Sequence, residues 1–462
     1  MKSLQNILFL SAFLLMVSFF SCSKDSGSDK SSVSVAADQY RGDVSNEWYS
    51  LIMEIDRFSP GYRPPAASRA FGYTGLAAYE AAVAGMPEHN SLLNSFPGLT
   101  LPELSTKTPY HWGVSVNAAY ANMLRFFYPH ISPAHKAKID ALEAKFNNLF
   151  KKDISYEVFN NSTSYGKAVA IQVYSYSETD PQGHDAYKEP RPASYIPPAK
   201  GPNNEILWQP TFPDYSPALF PYWGKVRPFA LKESDKLARP PIQWSEDPNS
   251  MFYTQAKEIK IWVDNSTDQD KWISEFWSDD IFELTFEPAA RIVSLGIQMS
   301  KEKELNLAET VELYAKIGMA TCDAGIAVWN SKYVYNVERP VSYIRRVMDP
   351  NWKTILNNPI GRVYGMTPEF PAYPSGHSGF AGAGTGILAD FFGNNNKFTD
   401  YSHLNRVEFR GEPRTYQQIL DIGIENAYSR LPLGVHYRMD CDEGIRLGYL
   451  AAKRVLDLPW KK

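Results

Sequence analysis

The feature that most constrains the fold is an unbroken helical pattern over residues 310–333. Apolar or small residues recur there every three or four positions, which is the spacing of one helix face. These residues are Val311, Tyr314, Gly318, Cys322, Ile326 and Trp329. A long helix with one continuous apolar face must be covered by other elements, so the pattern predicts a core helix. Lys332 lies three residues after Trp329, which places it on the same face at the inner end.

Helical periodicity also covers most of the remaining chain. The predicted helices span residues 48–56, 68–81, 114–128, 133–150 and 156–176, and later 251–263, 270–277 and 288–299. No alternating strand pattern of useful length appears before residue 178. Hydrophobic residues make up 44% of the 462 residues, which is ample for a large core. The sequence therefore predicts an all-α fold, a large helical bundle with two helical halves at 46–178 and 251–462.

Between the two halves, residues 179–250 change in character, because prolines, glycines and aromatic residues crowd together. A long connection without regular structure inside a compact protein is usually functional. We interpret it as an ordered arm that packs across the bundle and covers the mouth of a site. His184 is the arm residue that could touch a substrate, and the alternative is a loop histidine satisfied by backbone groups.

The N-terminus has the form of a targeting segment. Lys2 precedes an apolar run over residues 7–20, which is too short for the ~20 residues of a membrane span. Ser21-Cys22 at its end resembles the processing site of bacterial lipoproteins. We expect a signal peptide at 1–21, lipidation of Cys22, and a flexible tether at 22–45. This predicts a bacterial outer-membrane lipoprotein facing the periplasm or the cell surface; a secretory signal cleaved nearby is the alternative.

Charge and cysteine content limit the binding partners and the disulfides that the chain could have. The formal net charge is −4 with acids and bases dispersed, so there is no sign of the basic face that nucleic acids require. Besides Cys22, the chain has Cys322 and Cys441. These two cysteines could form a disulfide in an oxidising envelope, but we expect two small buried apolar side chains instead.

The stretch Tyr373-Pro-Ser-Gly-His377 has the composition of an anion seat. Pro374 marks a helix start, and an apolar helical pattern follows at once. The free N–H groups of a first helical turn attract anions. Ser375 adds a hydroxyl, Gly376 allows close approach to the backbone, and His377 can exchange a proton near neutral pH. An ordinary loop-to-helix turn would look the same in isolation.

Two further stretches supply cations. Lys332 and Arg339 lie upstream of the stretch 373–377. Arg430, His436 and Asp440 lie downstream of it. Three cations aimed at one point repel each other, by up to about 4 kcal/mol for a close pair near a protein surface. Such a cluster is reasonable only around a multiply charged oxyanion, for which arginine supplies a fork and lysine a point charge.

Together the three stretches resemble the signature of one superfamily, that of the vanadium-dependent haloperoxidases and the type 2 phosphatidic acid phosphatases. The resemblance rests on order, internal spacing and a matching set of residues. This set is Lys332, Arg339, Pro340, Pro374, Ser375, Gly376, His377, Ser429, Arg430, His436 and Asp440. It implies a helical bundle whose second half carries one oxyanion site, built from Lys332, Arg339, Ser375, Gly376 and Arg430.

For the haloperoxidase branch, the resemblance implies bound vanadate and oxidation of halide by hydrogen peroxide. His436 would form the bond to vanadium, and Lys332 would polarise the peroxide. His377 would act as acid–base group. Asp440, one helical turn after His436, could orient the imidazole, or could belong to a structural ion pair. The organic acceptor, the halide preference and the oligomeric state are not readable.

Two alternatives stay open at this point. In a phosphatase the same residues would hold phosphate without a cofactor, His436 would become phosphorylated, and His377 would protonate the leaving alcohol. A non-catalytic envelope protein could instead sequester phosphate or vanadate. We favour the haloperoxidase because of the chain length, the aromatic arm, and the aromatic pair Trp329 and Phe370. These two positions line the halide pocket in the family, although core packing would also explain them.

Overall fold

The computed structural model describes residues 34–105, 108–358, 362–408 and 410–462, and helices dominate them. In chain order the helices are α1 Asp43–Arg57, α2 Pro64–Ala82, α3 Trp112–Phe127, α4 Pro133–Phe150, α5 Tyr156–Glu178, α6 Pro181–His184, α7 Met251–Asp264, α8 Asp268–Phe276, α9 Pro288–Glu302, α10 Leu307–Tyr335, α11 Pro340–Val347, α12 Gly376–Phe392, α13 Ile419–Tyr428, α14 Arg430–Leu433 and α15 Arg438–Leu456. The prediction of an all-α fold is therefore confirmed.

Two short antiparallel hairpins interrupt the helices of the second half. One pairs β1 Asn357–Asn358 with β2 Val363–Tyr364, and the other pairs β3 Phe398–Asp400 with β4 Arg414–Tyr416. Strands of two or three residues carry too little pattern to be recognised in a sequence, so neither hairpin was predicted.

Helix α10 is the central element, as its periodicity predicts. It starts three residues earlier than expected because Asn306 and Glu309 form a capping box, and it ends where Asn336 turns left-handed with φ 48°. It packs most closely on α2, where a Cβ added to Gly318 would lie 2.7 Å from the backbone of Phe71. Close backbone contact between these helices joins the two predicted halves into one hydrophobic core.

A second close crossing, between α12 and α15, brings the site residues together. A Cβ at Gly448 would lie 2.3 Å from the carbonyl oxygen of Gly379, and one at Gly444 would lie 2.5 Å from that of Ser375. Any larger residue at these positions would force the two helices apart. The glycines of α15 therefore determine how near Ser375 and His377 lie to the residues that precede α15.

The arm, residues 179–250, is mostly irregular and is fastened to α10 by a buried carboxylate. Asp323 accepts hydrogen bonds from the N–H groups of Phe229, Ala230 and Leu231 at 2.7, 2.7 and 2.8 Å. Burial raises the pKa of Asp323 to about 6, and the three N–H donors oppose that rise. A loop held in this way is an ordered part of the molecule.

Three details differ from the sequence predictions. Residues 37–45, assigned to the flexible tether, pack on the body: Ala37 and Val44 are buried, and Gly42 donates a hydrogen bond to the Leu305 carbonyl. Helix α2 begins at Pro64, so Ser68 is an interior residue. His436 precedes the last helix, which begins at Arg438.

Cys322 and Cys441 are both buried and free, so the disulfide alternative is wrong and the apolar interpretation is correct. Cys22 and the predicted signal peptide lie outside the described residues. Among the residues that are described, no helix is both long and apolar enough to cross a membrane.

Candidate functional site

Five segments of the second half converge on one buried point. The set of residues there, called the cation cage below, comprises Lys332, Arg339, Ser375, Gly376, His377, Arg430 and His436. Lys332 lies in the last turn of α10, Arg339 caps α11 and Ser375 caps α12. Arg430 opens α14, and His436 stands in the link to α15. Each of these side chains is at least nine-tenths buried, so any charge here interacts strongly with its neighbours.

His436 is held in one tautomer by its two neighbours. Its Nε2 lies 3.1 Å from Nη1 of Arg339, and its Nδ1 lies 2.9 Å from Oδ2 of Asp440. A guanidinium only donates hydrogen bonds, so Nε2 must be the acceptor and Nδ1 must carry the proton. The Nε2 lone pair therefore points towards the cations, which is the arrangement that a metal ligand or a nucleophile needs.

Asp440 orients this imidazole, as one of the two sequence interpretations proposed. Its Oδ2 accepts from His436 Nδ1 and also from the Tyr437 N–H at 2.9 Å. Burial raises the pKa of Asp440 to about 7, and Lys332 opposes the rise. The carboxylate is completely buried and contacts the histidine directly, which excludes a surface ion pair.

Lys332 and Arg339 are anchored by backbone carbonyls. Lys332 Nζ donates to the carbonyl oxygens of Pro371 and Ala372 at 2.8 and 3.0 Å. Arg339 donates to the carbonyl oxygens of Phe370 and Val435 at 2.7 and 2.8 Å. Neutral acceptors fix the direction of each side chain without compensating its charge, so positive charge on either group remains available to another partner.

Arg430 has an acidic partner that the sequence did not reveal. Its Nη2 donates to Oδ2 of Asp280 at 2.6 Å, and its Nη1 lies 3.4 Å from the carbonyl oxygens of Trp277 and Ser278. Asp280 lies in the loop between α8 and α9. Two adjacent aspartates in a polar loop give no sign of a contact with a residue 150 positions later.

His377 faces the same loop. Its Nε2 lies 3.2 Å from the Ser278 carbonyl oxygen and 3.8 Å from Oδ1 of Asp280. Because a carbonyl only accepts, Nε2 carries the proton and Nδ1 has the free lone pair. Burial, and then Arg430, lowers the pKa of His377 to about 3. The imidazole is therefore neutral near pH 7 while the cage holds no anion.

Several donors in the cage have no hydrogen-bond partner in the described part of the chain. They are Nη2 of Arg339 and Nε of Arg430, both fully buried. A buried N–H without a partner is costly, by about 1–3 kcal/mol. No group of three His, Cys, Asp or Glu side chains among the described residues could hold a metal cation. The donor set thus fits a tetrahedral oxyanion such as vanadate or phosphate.

Without such an anion, the positively charged groups of the cage repel one another. Burial, and then Arg339, lowers the pKa of Lys332 well below its usual value. Burial also lowers the pKa of Arg339 to about 9 and holds that of His436 well below 6.5, where the three cations add to the effect. An anion in the centre would reverse these repulsions and raise all three pKa values.

This coupling predicts that binding of a tetrahedral dianion takes up protons. Sulfate should bind with proton uptake, because the anion raises the lowered pKa values of Lys332 and His436. Uptake should disappear only at a pH low enough that both side chains are already charged without the anion. Calorimetry in buffers of different ionisation enthalpy measures this quantity. Lys332→Met is the control and should reduce the uptake, whereas proton release by the wild type would contradict the argument.

A cavity of about 420 Å³ leads from solvent to the cation cage. Gly376 and His377 lie at its inner end, and Arg191, Asp214, Ser216 and Leu219 of the arm contribute to its wall. The arm therefore borders the entrance, as predicted. His184 is not among the lining residues; it lies 3.5 Å from the hydroxyl groups of Tyr174 and Ser177.

Trp329 and Phe370 form the wall between the cavity and the cation cage. Their rings lie 4.9 Å apart, and both line the cavity. Lys332 Nζ lies 4.8 Å from the centre of the Phe370 ring, and the Arg339 guanidinium lies 4.9 Å from it. These aromatic faces stabilise the two cations, and their other sides are open to the cavity. The pair is thus positioned to contact a small anion that approaches the cage.

Several known proteins resemble this chain in sequence and fold. Residues 312–459 match the family model described as the vanadium chloroperoxidase second helical-bundle domain. The vanadium chloroperoxidase of Curvularia inaequalis is 28% identical over 278 residues, which is 48% of this chain and 46% of that protein. The vanadium-dependent bromoperoxidase of Ascophyllum nodosum is 31% identical over 99 residues, covering 20% and 18% of the two chains.

Solved structures extend the match to nearly the whole chain. The crystal structure titled as the first bacterial vanadium-dependent iodoperoxidase superposes with a TM-score of 0.77 at 25% identity, over 91% of this chain and 97% of that one. The chain thus shares its fold with this iodoperoxidase, and its second helical half matches the vanadium chloroperoxidase family model. A holo-type bacterial vanadium-dependent chloroperoxidase shares the fold, with a TM-score of 0.62 at 15% identity over 87% and 92% of the two chains.

The sequence matches are partial. The aligned segments span about half of the Curvularia chloroperoxidase and about a fifth of the Ascophyllum bromoperoxidase. The family model lies within the second helical half and includes every residue of the cation cage. The family model thus matches the part of the chain in which the three sequence stretches resemble this superfamily.

Proposed function

We propose that this protein is a vanadate-dependent haloperoxidase that oxidises halide with hydrogen peroxide. One observation carries the proposal: Nε2 of His436 lies 3.1 Å from Nη1 of Arg339, in a cage where Arg339 and Arg430 keep unpartnered N–H groups. A tetrahedral oxyanion bonded at Nε2 would satisfy these donors together. Relatives named as chloroperoxidase, bromoperoxidase and iodoperoxidase support the same activity.

Each residue of the cation cage would have its own role in this reaction. Lys332, Arg339 and Arg430 would hold vanadate through its oxygens, with the Ser375 hydroxyl and the Gly376 N–H, and His436 would ligate vanadium. Bound vanadate supplies a Lewis-acidic centre that activates hydrogen peroxide without a change of oxidation state. The Lys332 ammonium would add positive charge at the activated oxygen, which makes that oxygen more electrophilic towards a halide.

His377 acts in this scheme as the proton acceptor for incoming peroxide. Its neutral state near pH 7 leaves Nδ1 free to take a proton, while Nε2 stays bonded to the Ser278 carbonyl. The halide would approach along the wall formed by Trp329 and Phe370. Both rings have a positive group behind them, so this face is less repulsive to an anion than an isolated aromatic ring.

A paired assay tests the proposal. The purified protein, loaded with vanadate, receives peroxide with iodide or bromide; a parallel sample without vanadate receives a chromogenic phosphate ester. Halogenation that depends on vanadate is the expected result. Ester hydrolysis without halogenation would identify a phosphatase with a phosphorylated His436 and would overturn the proposal.

Replacing His377 with alanine distinguishes an enzyme from a binding protein. Oxyanion affinity should change little, because the three cations remain, whereas turnover should fall by about 100-fold or more with the loss of acid–base catalysis. Vanadate binding by wild type and variant alike, with no turnover in either, would indicate a protein that only sequesters the anion.

Asp440→Asn is expected to reduce halogenation by about 10- to 100-fold, the usual effect of removing a carboxylate that orients a metal-bound histidine. The asparagine amide can present its NH₂ group to Nδ1, which would favour the opposite tautomer of His436. The measurement is vanadate affinity together with kcat. Asp442→Asn, two residues further on α15, is the matched control and should leave both values unchanged.

We also propose that the mature protein is an envelope lipoprotein anchored through Cys22. The proposal rests on the apolar run at 7–20 and the Ser21-Cys22 pair in the sequence. Incorporation of labelled palmitate into the wild type, and its loss in Cys22→Ala, would support it. Secretion of a soluble chain cleaved at another residue would contradict it.

A further inference from the structure

The backbone of Leu219 joins the arm to the aromatic wall of the site cavity. Leu219 is buried and lines that cavity. Its carbonyl oxygen accepts two hydrogen bonds from α10, one from the indole N–H of Trp329 at 3.2 Å and one from the hydroxyl of Tyr333 at 2.6 Å. Trp329 and Tyr333 are four residues apart, so their side chains are neighbours on one helix face. Two donors occupy both lone pairs of the carbonyl oxygen.

The N–H group of Leu219 holds the other half of the wall. It donates to the carbonyl oxygen of Glu369 at 3.0 Å, and Glu369 directly precedes Phe370. The Glu369 carboxylate in turn accepts from Nε of Arg191, another arm residue, at 3.0 Å. Leu219 is thus bonded on one side to the ring of Trp329 and on the other to the backbone that carries Phe370. One arm residue therefore relates the positions of both aromatic side chains.

The arm backbone is itself constrained at this point. Phe220, the next residue, adopts a left-handed conformation with φ 50°, and its N–H donates to the Pro190 carbonyl oxygen at 2.7 Å. Bulky residues rarely adopt this conformation, and it persists only where the surrounding contacts impose it. The Leu219 carbonyl is therefore an anchor of fixed orientation.

This anchor determines which atoms of Trp329 are available to a halide. Because the indole N–H is bonded to Leu219, the ring presents carbon atoms to the cavity. Carbon atoms do not replace the hydrogen bonds that an anion loses when it leaves water. Attraction must come from Lys332 and Arg339, which lie 4.8 and 4.9 Å from the centre of the Phe370 ring. Since that attraction depends on distance, halide binding depends on where the two rings stand.

We propose that Tyr333 is a positioning residue for halide binding, which acts on Trp329 through the Leu219 carbonyl; this role rests on the proposed haloperoxidase function. Tyr333 is outside the cation cage and is not among the described residues that line the cavity. Its hydroxyl fixes the carbonyl that orients the indole. Removing the hydroxyl loosens Trp329 relative to Phe370 and leaves the groups that hold vanadate and peroxide in place.

The first test is steady-state kinetics of vanadate-loaded Tyr333→Phe. The KM for bromide and for iodide should rise by about 3- to 10-fold, the usual effect of one lost buried hydrogen bond. The kcat, the KM for peroxide and the vanadate affinity should stay unchanged. A merely structural defect would lower the melting temperature and the active fraction, and hence kcat, without a selective change in the halide KM.

Tyr335→Phe is the matched control. Tyr335 is also on α10, and its hydroxyl donates to another arm carbonyl, that of Ala238, at 2.7 Å. Like Tyr333, it is not among the described residues that line the cavity. Its variant should keep the wild-type KM for both halides. Comparing the two variants separates the contact with Leu219 from a general fastening of the arm to α10.

A double-variant cycle tests whether Tyr333 acts through Trp329. Trp329→Phe keeps an aromatic ring but has no N–H group for the Leu219 carbonyl. In this background, the further change Tyr333→Phe should raise the halide KM by less than about 2-fold, because the ring is no longer held by that carbonyl. Equal increases in the two backgrounds would show that Tyr333 acts independently of Trp329 and would overturn the proposal.

A spectroscopic test needs no activity. In protein with isotope-labelled tryptophan, the NMR signal that disappears in Trp329→Phe reports the indole N–H of Trp329. Tyr333→Phe should shift this signal, and Tyr335→Phe should leave it in place. Adding iodide to the vanadate-loaded wild type should shift it little, because the N–H stays bonded to Leu219.

Three results would refute the role of Tyr333. They are an unchanged halide KM in Tyr333→Phe, an unchanged Trp329 signal in that variant, and a large shift of the wild-type signal with iodide. The iodide result applies even if no variant folds, because it would show that the indole N–H binds the halide. Absence of halogenation in the wild type would instead overturn the proposed function, and the Trp329 signal would still report whether Tyr333 positions the ring.

Discussion

Replacing His436 with alanine should abolish halogenation, with a loss of more than about 1,000-fold, well beyond the effect of removing an outer hydrogen-bond partner. His436 Nε2 accepts a hydrogen bond from Arg339 within the cage and is the atom assigned to bind vanadium. Without it, the oxyanion has no protein bond at its central atom. Initial rates with saturating vanadate, peroxide and bromide measure the loss.

Oxyanion binding should survive in this variant, because Lys332, Arg339 and Arg430 remain. Sulfate affinity measured by calorimetry is therefore expected to stay within about 10-fold of the wild type, since removing a neutral group takes no charge from the cage. His184→Ala is the control, because this histidine contacts Tyr174 and Ser177 away from the cavity. Halogenation retained by His436→Ala would refute the site assignment.

The second large effect is expected from Arg430→Met. The substitution leaves Asp280, whose side chain is 12% exposed, without its cation, which should lower the free energy of unfolding by up to about 3–5 kcal/mol. It also removes one of three charges that face the oxyanion. Losing a buried charge-assisted contact costs about 2–5 kcal/mol, which corresponds to roughly 30- to 5,000-fold in vanadate affinity.

A double variant separates these two effects. Arg430→Met with Asp280→Asn removes the unpaired charge, so the free energy of unfolding should recover by several kcal/mol while vanadate affinity stays low. Arg438 pairs with Glu258 at the surface, and Arg438→Met should cost less than about 1 kcal/mol. Equal destabilisation by Arg430→Met and Arg438→Met would mean that the Arg430–Asp280 pair contributes no more to the free energy of unfolding than a surface pair.

The sequence did not reveal that the loop containing Asp279 and Asp280 reaches the site. The signature stretches identified seven cage residues because each has a fixed spacing to a neighbour within its own stretch. The aspartates belong to the loop between α8 and α9, which has no such spacing. Asp280 contacts Arg430 on α14 and His377 on α12, a relation between segments that no local pattern encodes. Arg191 and Asp214 of the arm became cavity residues for the same reason.

The sequence alone predicted the all-α class, the central helix α10, and the residues that the structure brings together in the cation cage. Helical periodicity and the spacing of Lys332, Arg339, His377 and His436 are local properties, so they can be read without coordinates. Only the tertiary structure decided which tautomer each histidine adopts, because that depends on Arg339 and on the Ser278 carbonyl. It also decided that the acids at the cavity include Asp279, since burial and charge pairing are set by segments that meet only when the chain is folded.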